Sequence, residues 1–331
     1  MRHFATQVRF IICCLTLLLP STVIAQGKPL KEVNTSYPLG GSTSYFWVAY
    51  RSGSFEKHGL KLKPVYIRGS VTSLQALLAR ELLIQMEAAA AGVRAWARGA
   101  KEVTLIGAVG NRLDYLLVTL PSIKRPEELK GKRIGVSQIG ASSDFIARYA
   151  VRQLGLNPEK DVTILGAGGQ GQRWAALTGG HIEASVVQPP FTLIARKAGY
   201  PVLIDLSKQD FQYATSATMT TRSFIRSDGD TVMNFMRGLA DGMDFYRAEV
   251  NKEKVLQYLG EYYRSNSREE LEETRRAYSQ LTPGLPVITA KSVENVIAND
   301  KELAPLGLKP AEMLDLSFLE KLQDERKTKN K

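Results

Sequence analysis

Two stretches of this chain align with each other at a constant offset of one hundred residues, and a fold that repeats itself has few ways to close. Leu39-Gly40-Gly41-Ser42-Thr43 matches Ile139-Gly140-Ala141-Ser142-Ser143, and Tyr45 falls on Phe145. Further on, Gly69 falls on Gly169, Ala76-Leu77 on Ala176-Leu177, and Leu82 on Ile182. The register slips in between, because Gly59-Leu60 answers Gly155-Leu156. Two βαβ units of similar size can align by chance; the alternative is two lobes built to one plan, each with a Gly-small-hydroxyl loop at a helix start.

The texture of the sequence supports such units. Short β-rich runs alternate with helical stretches, which predicts α/β architecture with mostly parallel sheet. The runs that read as strands are 31–37, 61–67, 103–108, 115–119, 133–137, 162–165, 184–187, 202–205 and 214–220. Beyond Asp228 the spacing turns helical, over 230–249, 252–263, 268–280 and 290–299, with no strand run between them. The terminal Arg326-Lys327-Thr328-Lys329-Asn330-Lys331 reads as a frayed, solvated end.

Residues 1–25 have a separate role. Arg2 and Arg9 precede an apolar run from Phe10 to Leu19, Pro20-Ser21 break it, and Val23-Ile24-Ala25 offers the small residue at which a leader is cut. The run is too short to span a hydrocarbon core of about 30 Å. An exported, periplasmic chain starting at Gln26 is expected. Both cysteines, Cys13 and Cys14, would leave with the leader, which excludes disulfides, cysteine nucleophiles and Cys-metal sites from the rest. Losing Arg2 and Arg9 lowers the formal net charge from +11 to +9, and no clustered basic stripe suggests a nucleic acid partner.

In open α/β sheets, ligands sit beyond the carboxyl ends of the strands, where the glycine loops fall. Helix starts there present free N–H groups and a partial positive charge. Gly40-Gly41-Ser42-Thr43-Ser44 and Gly140-Ala141-Ser142-Ser143-Asp144 suit this, although plain N-capping would use the same residues. Asp144 either complements its own helix or receives an ammonium or hydroxyl group. The loop Gly166-Ala167-Gly168-Gly169-Gln170-Gly171 lacks the Gly-Lys-Ser/Thr of a nucleotide cradle. His58 and His181 stand at no metal-ligand spacing, and no Gly-x-Ser-x-Gly or His-Glu-x-x-His motif occurs. Catalytic residues, a metal and a cofactor are therefore not expected. Tyr37, Tyr45, Phe46, Trp47, Trp174 and Phe191 either stack on an organic ligand or pack the core.

Three segments carry a family resemblance: Phe55-Glu56-Lys57-His58-Gly59-Leu60, Leu74-Gln75-Ala76-Leu77-Leu78-Ala79, and the run Pro126-Glu127-Glu128-Leu129-Lys130-Gly131-Lys132-Arg133-Ile134-Gly135-Val136. With Pro189-Pro190-Phe191 and Thr220-Thr221-Arg222-Ser223-Phe224-Ile225, the chain resembles the solute-binding proteins of ABC transporters of the nitrate/sulfonate/taurine type. The resemblance implies a two-lobed type II periplasmic binding fold with the ligand cleft between lobes. Lobe one would comprise 27–120 and 222–331, lobe two 121–221, with crossings near Thr119-Leu120-Pro121 and Thr218-Met219-Thr220. It implies a monomer that takes a small-molecule ligand to a membrane permease and its ATPase. A sensing receptor lobe is the alternative. An enzyme similar to thiamine-pyrimidine synthases fits less well, because that group relies on a cysteine-rich motif.

Residue by residue, the resemblance points to Ser42, Thr43 and Ser44, to Gly69 and Ser70, and to Ala90 and Ala91. From the other half it points to Ser142, Ser143 and Asp144, to Gly169 and Gln170, and to Gln188 and Pro189. Arg80 and Leu83 depart from the family pattern. The alanine-rich Met86-Glu87-Ala88-Ala89-Ala90-Ala91-Gly92 suggests a smoother, less polar wall, suited to an organic ligand rather than nitrate.

Overall fold

The computed structural model describes residues 29–38, 40–67, 70–282 and 284–329. The expected leader, Leu39 and Gly69 lie outside them.

The first half folds as β1 (Lys31–Tyr37), α1 (Ser44–Arg51), β2 (Leu60–Tyr66), α2 (Ser70–Leu78), β3 (Ile84–Glu87), α3 (Ala89–Ala97) and β4 (Val103–Arg112). After β5 (Leu116–Thr119) the plan repeats: β6 (Lys132–Val136), α4 (Ser142–Gln153), β7 (Val162–Gly166), α5 (Gln170–Thr178), β8 (Ala184–Val187), α6 (Phe191–Lys197) and β9 (Val202–Asp205). Then β10 (Gln212–Thr221) leads into α7 (Arg222–Arg247), α8 (Lys252–Tyr263), α9 (Arg268–Leu281), α10 (Ala290–Ala298) and α11 (Ser317–Lys329). The one-hundred-residue offset is literal at α2 and α5 and at β3 and β8.

Two five-stranded sheets result, ordered β2-β1-β3-β10-β4 and β7-β6-β8-β5-β9. Each is mixed: in both, four strands run one way and the fifth, β10 or β5, pairs antiparallel with both neighbours. The two orders are the same pattern, so the fold is α/β and two-lobed with each lobe built to one plan.

The inserted strands shift the expected lobe boundaries. β5 was expected in lobe one, but it pairs with β8 and β9 in the second sheet. β10 was expected to lie largely in lobe two, but it pairs with β3 and β4 in the first. The crossings therefore fall between Arg112 and Leu116 and between Asp205 and Gln212. β5 is Leu-Leu-Val-Thr, and β10, though rich in Thr and Ser, is buried from Tyr213 to Thr221, so neither has the exposed polar face of an outer strand and either fits the middle of a sheet.

The strand 84–87, just past the Leu82 that the internal alignment pairs with Ile182 but not among the β-rich runs, is only four residues long, and every residue in it is buried. The C-terminal helices pack on the first lobe. Phe46 on α1 and Phe55 meet Phe235 of α7 with ring centroids 6.3 and 5.0 Å apart, contacts of about 0.5–1.5 kcal/mol each. Tyr45, at the start of α1, donates its hydroxyl to the Tyr278 carbonyl at 2.6 Å, fixing α1 to α9. Arg326 does not belong to a frayed end: it lies in α11, pairs with Asp244 at 2.7 Å and donates to the Gly284 carbonyl at 2.9 Å.

Candidate functional site

All the parallel strands of a lobe end on the side facing the other lobe, and the residues just past those ends enclose a cavity of about 330 Å³. Pro38 follows β1, Tyr66 and Ile67 close β2, and Glu87 and Ala88 close β3. From the other lobe come Ser137 and Gln138 after β6, Gly168 and Gly169 after β7, and Gln188 after β8. Tyr115, Thr215 and Ser216, on or beside the two crossings, form the back wall. Nothing in this arrangement needs a ligand to hold it, because helix starts and strand ends converge wherever two such lobes face each other.

Of the residues expected from sequence, Ser42, Thr43, Ser70, Ser142, Ser143, Gly169, Gln170 and Gln188 line this cavity. The others do not. Ser44 begins α1 and is fully buried beneath it, because the 3-10 turn Gly41–Thr43 swings the next side chain toward the core. Ala90 is in the core and Ala91 packs against it; Ala88, the residue before α3, is the one that reaches the cleft. Pro189 is buried behind Gln188. Asp144 is engaged by its own helix: it accepts from the Gly140 N–H and from Arg148 Nε, both at 2.8 Å, so it complements the helix start rather than a solute. Gly69 lies outside the described residues. The expected aromatics Tyr37, Tyr45 and Phe46 are buried in the core and Trp47, Trp174 and Phe191 pack against it; Tyr66 and Tyr115 line the cleft instead.

The lobes approach closely. Gly41 stands at φ 49°, and a Cβ there would strike the side-chain amide of Gln188 across the cleft. Ser142 donates to the Thr215 carbonyl at 3.4 Å, and Arg94 of α3 donates to the Gly140 carbonyl while holding Asp300 at 2.7 Å. Lys197 of α6 pairs with Glu269 of α9. The first loop is tied down from behind, since Gly40 N–H donates to the Tyr262 hydroxyl at 2.8 Å and Tyr263 donates to the Gly41 carbonyl at 3.2 Å. The second is tied to its own strand: the Ser143 hydroxyl accepts from Ser137 N–H at 2.8 Å.

Three buried charged groups surround the cavity, and sequence reasoning missed all of them. Glu87, at 4 % exposure, accepts from the Ser70 hydroxyl at 2.9 Å. Burial pushes its carboxyl up to about 7, against the opposing effects of Ser70 and the Ala88 N–H. The wall expected to be smooth and less polar therefore carries an acid. Arg173, at 3 % exposure, donates to the Gly168 carbonyl at 2.8 Å and to Val186 at 3.4 Å, while its Nε has no partner. Burial lowers its guanidinium below the usual range, with Tyr115 opposing. Asp114, just behind at the first crossing, accepts from Gln188 Nε2 at 2.7 Å, and burial lifts it to about 6, opposed first by Gln188. Among the described residues no cation forms an ion pair with Glu87 and no carboxylate with Arg173. A detectable signal existed for Arg173: it sits four residues before Leu177 on the buried face of α5, where a charge is out of place. Glu87 ends a strand that is otherwise Ile84-Gln85-Met86.

Among the described residues no group of His, Cys, Asp and Glu could hold a metal ion, and no helix is long and apolar enough to cross a membrane. His58 is paired with Asp241 at 2.8 Å, well away from the cleft.

Comparison with known proteins places this geometry. The sequence model of a family described as NMT1/THI5 like matches residues 42–251, more than half of the chain. No curated protein matches the chain by sequence. Solved structures share its fold at low identity. The alkanesulfonate-binding protein SsuA from Xanthomonas axonopodis pv. citri, bound to MOPS, superposes with a TM-score of 0.71 at 17% identity, over 88% of this chain and 100% of that one. The periplasmic aliphatic sulphonate binding protein SsuA from Escherichia coli gives 0.66 at 18%, over 86% and 90%. The periplasmic nitrate-binding protein NrtA from Synechocystis PCC 6803 gives 0.63 at 11%, over 74% and 70%. The chain belongs to the NMT1/THI5 like family.

Proposed function

We propose that this member of the NMT1/THI5 like family is the extracytoplasmic solute-binding component of an ABC importer. It captures a small organic solute, anionic or zwitterionic, by closure of its lobes and delivers it to a membrane permease driven by an ATPase. The observation that carries this reading is the cleft: strand ends and helix starts of two lobes of one plan converge on about 330 Å³, the size of a small-ligand site. The bound solute would bridge Ser42, Thr43 and Ser70 on one side with Ser142, Ser143, Gly169, Gln170 and Gln188 on the other. A solute touching both lobes favours the closed arrangement by its differential affinity for it, and that arrangement is what a permease would recognise. The fold neighbours named for sulfonate and nitrate binding support a transport role and an anionic group on the solute. Residues 1–25 would be the export leader, cut after Ala25, leaving a periplasmic monomer. Lobe one would then comprise 29–112 and 212–329, and lobe two 116–205.

A thermal-shift screen of the exported protein against sulfonates, carboxylates, nitrate and amino acids tests the reading. A solute at a hundred times its Kd stabilises the fold by about 2.7 kcal/mol. Saturable stabilisation that is lost in Ala88→Trp, whose indole would fill the cleft, is the expected result. Stabilisation that survives this substitution puts the solute elsewhere and overturns the assignment.

A further inference from the structure

The cleft wall contains one acid and one base, from opposite lobes, and neither has a counter-ion among the described residues. Glu87 ends β3 of the first lobe and Arg173 lies in the first turn of α5 of the second. Both are more than nine-tenths buried, and the guanidinium keeps a buried Nε with no acceptor. Taking such groups out of water costs several kcal/mol each, which folding alone does not repay. Each is satisfied only by neutral groups: Ser70 and the Ala88 N–H for Glu87, the Gly168 and Val186 carbonyls for Arg173.

Resting on the solute-binding reading above, the geometry points to a bifunctional solute: a basic nitrogen held by Glu87 of the first lobe, and an oxyanion held on the Arg173 side by the second. Each end would find its complement only when both lobes are in contact with the same molecule. The charges are divided so that closing the cleft completes two pairings at once, and a molecule with a single charged end completes only one. Glu87 is then the residue that separates amino-bearing solutes from simple anions. Ser70, which donates to it, holds the carboxyl toward the cleft as a positioning residue.

The test uses matched sets of small molecules on the exported protein by isothermal titration calorimetry: ω-amino carboxylates and ω-amino sulfonates of two to five carbons, the same acids without the amine, and the same amines without the acid. At least one bifunctional compound is expected to bind about tenfold or more tighter than either single-ended counterpart, a difference of about 1.4 kcal/mol. In Glu87→Gln that preference over the acid should fall to within about threefold while affinity for the acid is kept, since a neutral amide cannot hold an ammonium as a carboxylate does. In Arg173→Met the loss should instead fall on both acid-bearing compounds. Single-ended acids that bind as tightly as bifunctional ones, and lose binding in Ala88→Trp, overturn the charge pairing and leave solute binding standing. An amine preference unchanged in Glu87→Gln also overturns it. Absence of binding by every compound overturns both readings.

Discussion

Residues one hundred apart occupy equivalent places in the two lobes, and comparing them separates what the fold needs from what the cleft needs. Ser73 and Arg173 sit four residues before Leu77 and Leu177 on the buried faces of α2 and α5. Ser73 is fully absorbed by the core: it meets the Ser36 hydroxyl at 2.7 Å and donates to Gln85 at 2.8 Å. Arg173 is kept in the same place without a charged partner. At the strand ends the situation reverses: Glu87 is an acid, and Val187 is buried among Leu116, Val118, Leu177 and Ile182. The backbone plan tolerates a small or apolar residue at both places, so the charges at 87 and 173 are additions to the fold rather than requirements of it.

The most disruptive way to break this comparison is to give the second lobe the acid of the first. Val187→Glu buries a carboxyl among aliphatic side chains with no hydroxyl at the place of Ser70, where Gln170 stands instead. A loss of about 3–5 kcal/mol is expected in urea denaturation, and a loss under about 1 kcal/mol would mean the two strand ends are interchangeable.

The converse, removing the acid from the first lobe, should stabilise the protein in a pH-dependent way. A carboxyl whose folded value is raised from 4.5 to about 7 favours the folded state below 4.5, and that contribution is lost as pH rises through about 7. Glu87→Gln removes the loss, so the variant should gain on wild type between pH 4.5 and 7 and hold a lead of about 3 kcal/mol above it. Asp114, raised from 3.8 to about 6, adds a similar slope that ends earlier, so the interval from 6 to 7 isolates Glu87. Parallel stability curves for the two proteins across that interval would show that Glu87 titrates normally.

Gln188 sharpens the comparison from the other side, because its counterpart Ala88 has no amide to offer. Gln188→Ala leaves Asp114 buried without its 2.7 Å donor and should cost about 1–2 kcal/mol in thermal unfolding. Ala88→Gly, at the equivalent place, removes only a methyl from the cleft wall and should cost less. The smallest effect belongs to the ion pair between the lobes. Lys197 and Glu269 are 55% and 61% exposed, so Lys197→Ala should change stability by less than about 0.5 kcal/mol and only at low salt.

Much of this was legible in the sequence because its causes are local. Apolar periodicity placed nine of the strands, and helical spacing placed α8 at Lys252–Tyr263. The glycine-hydroxyl loops located the cleft, since a helix start after a strand presents its backbone in the same way wherever it occurs. The expected site residues that lie outside the cavity lining, Ser44, Ala90, Ala91, Asp144 and Pro189, are all within three residues of ones that line it. Sequence identified the loop; which side chain of the loop faces outward depends on how the turn is wound and on what packs beneath it.

By itself, then, the sequence determined the repeated α/β plan, the helical tail and the loops at the strand ends, because hydrophobic pattern and turn chemistry act over a few residues. Tertiary structure alone decided three things. It put β5 and β10 in the sheets they were not expected in, since a strand buried along nearly its whole length carries no label for its partner. It turned Asp144 onto Arg148 and the Gly140 amide. And it buried Glu87 and Arg173 without counter-ions, because desolvation is set by the packing of every neighbouring element, most of it distant along the chain.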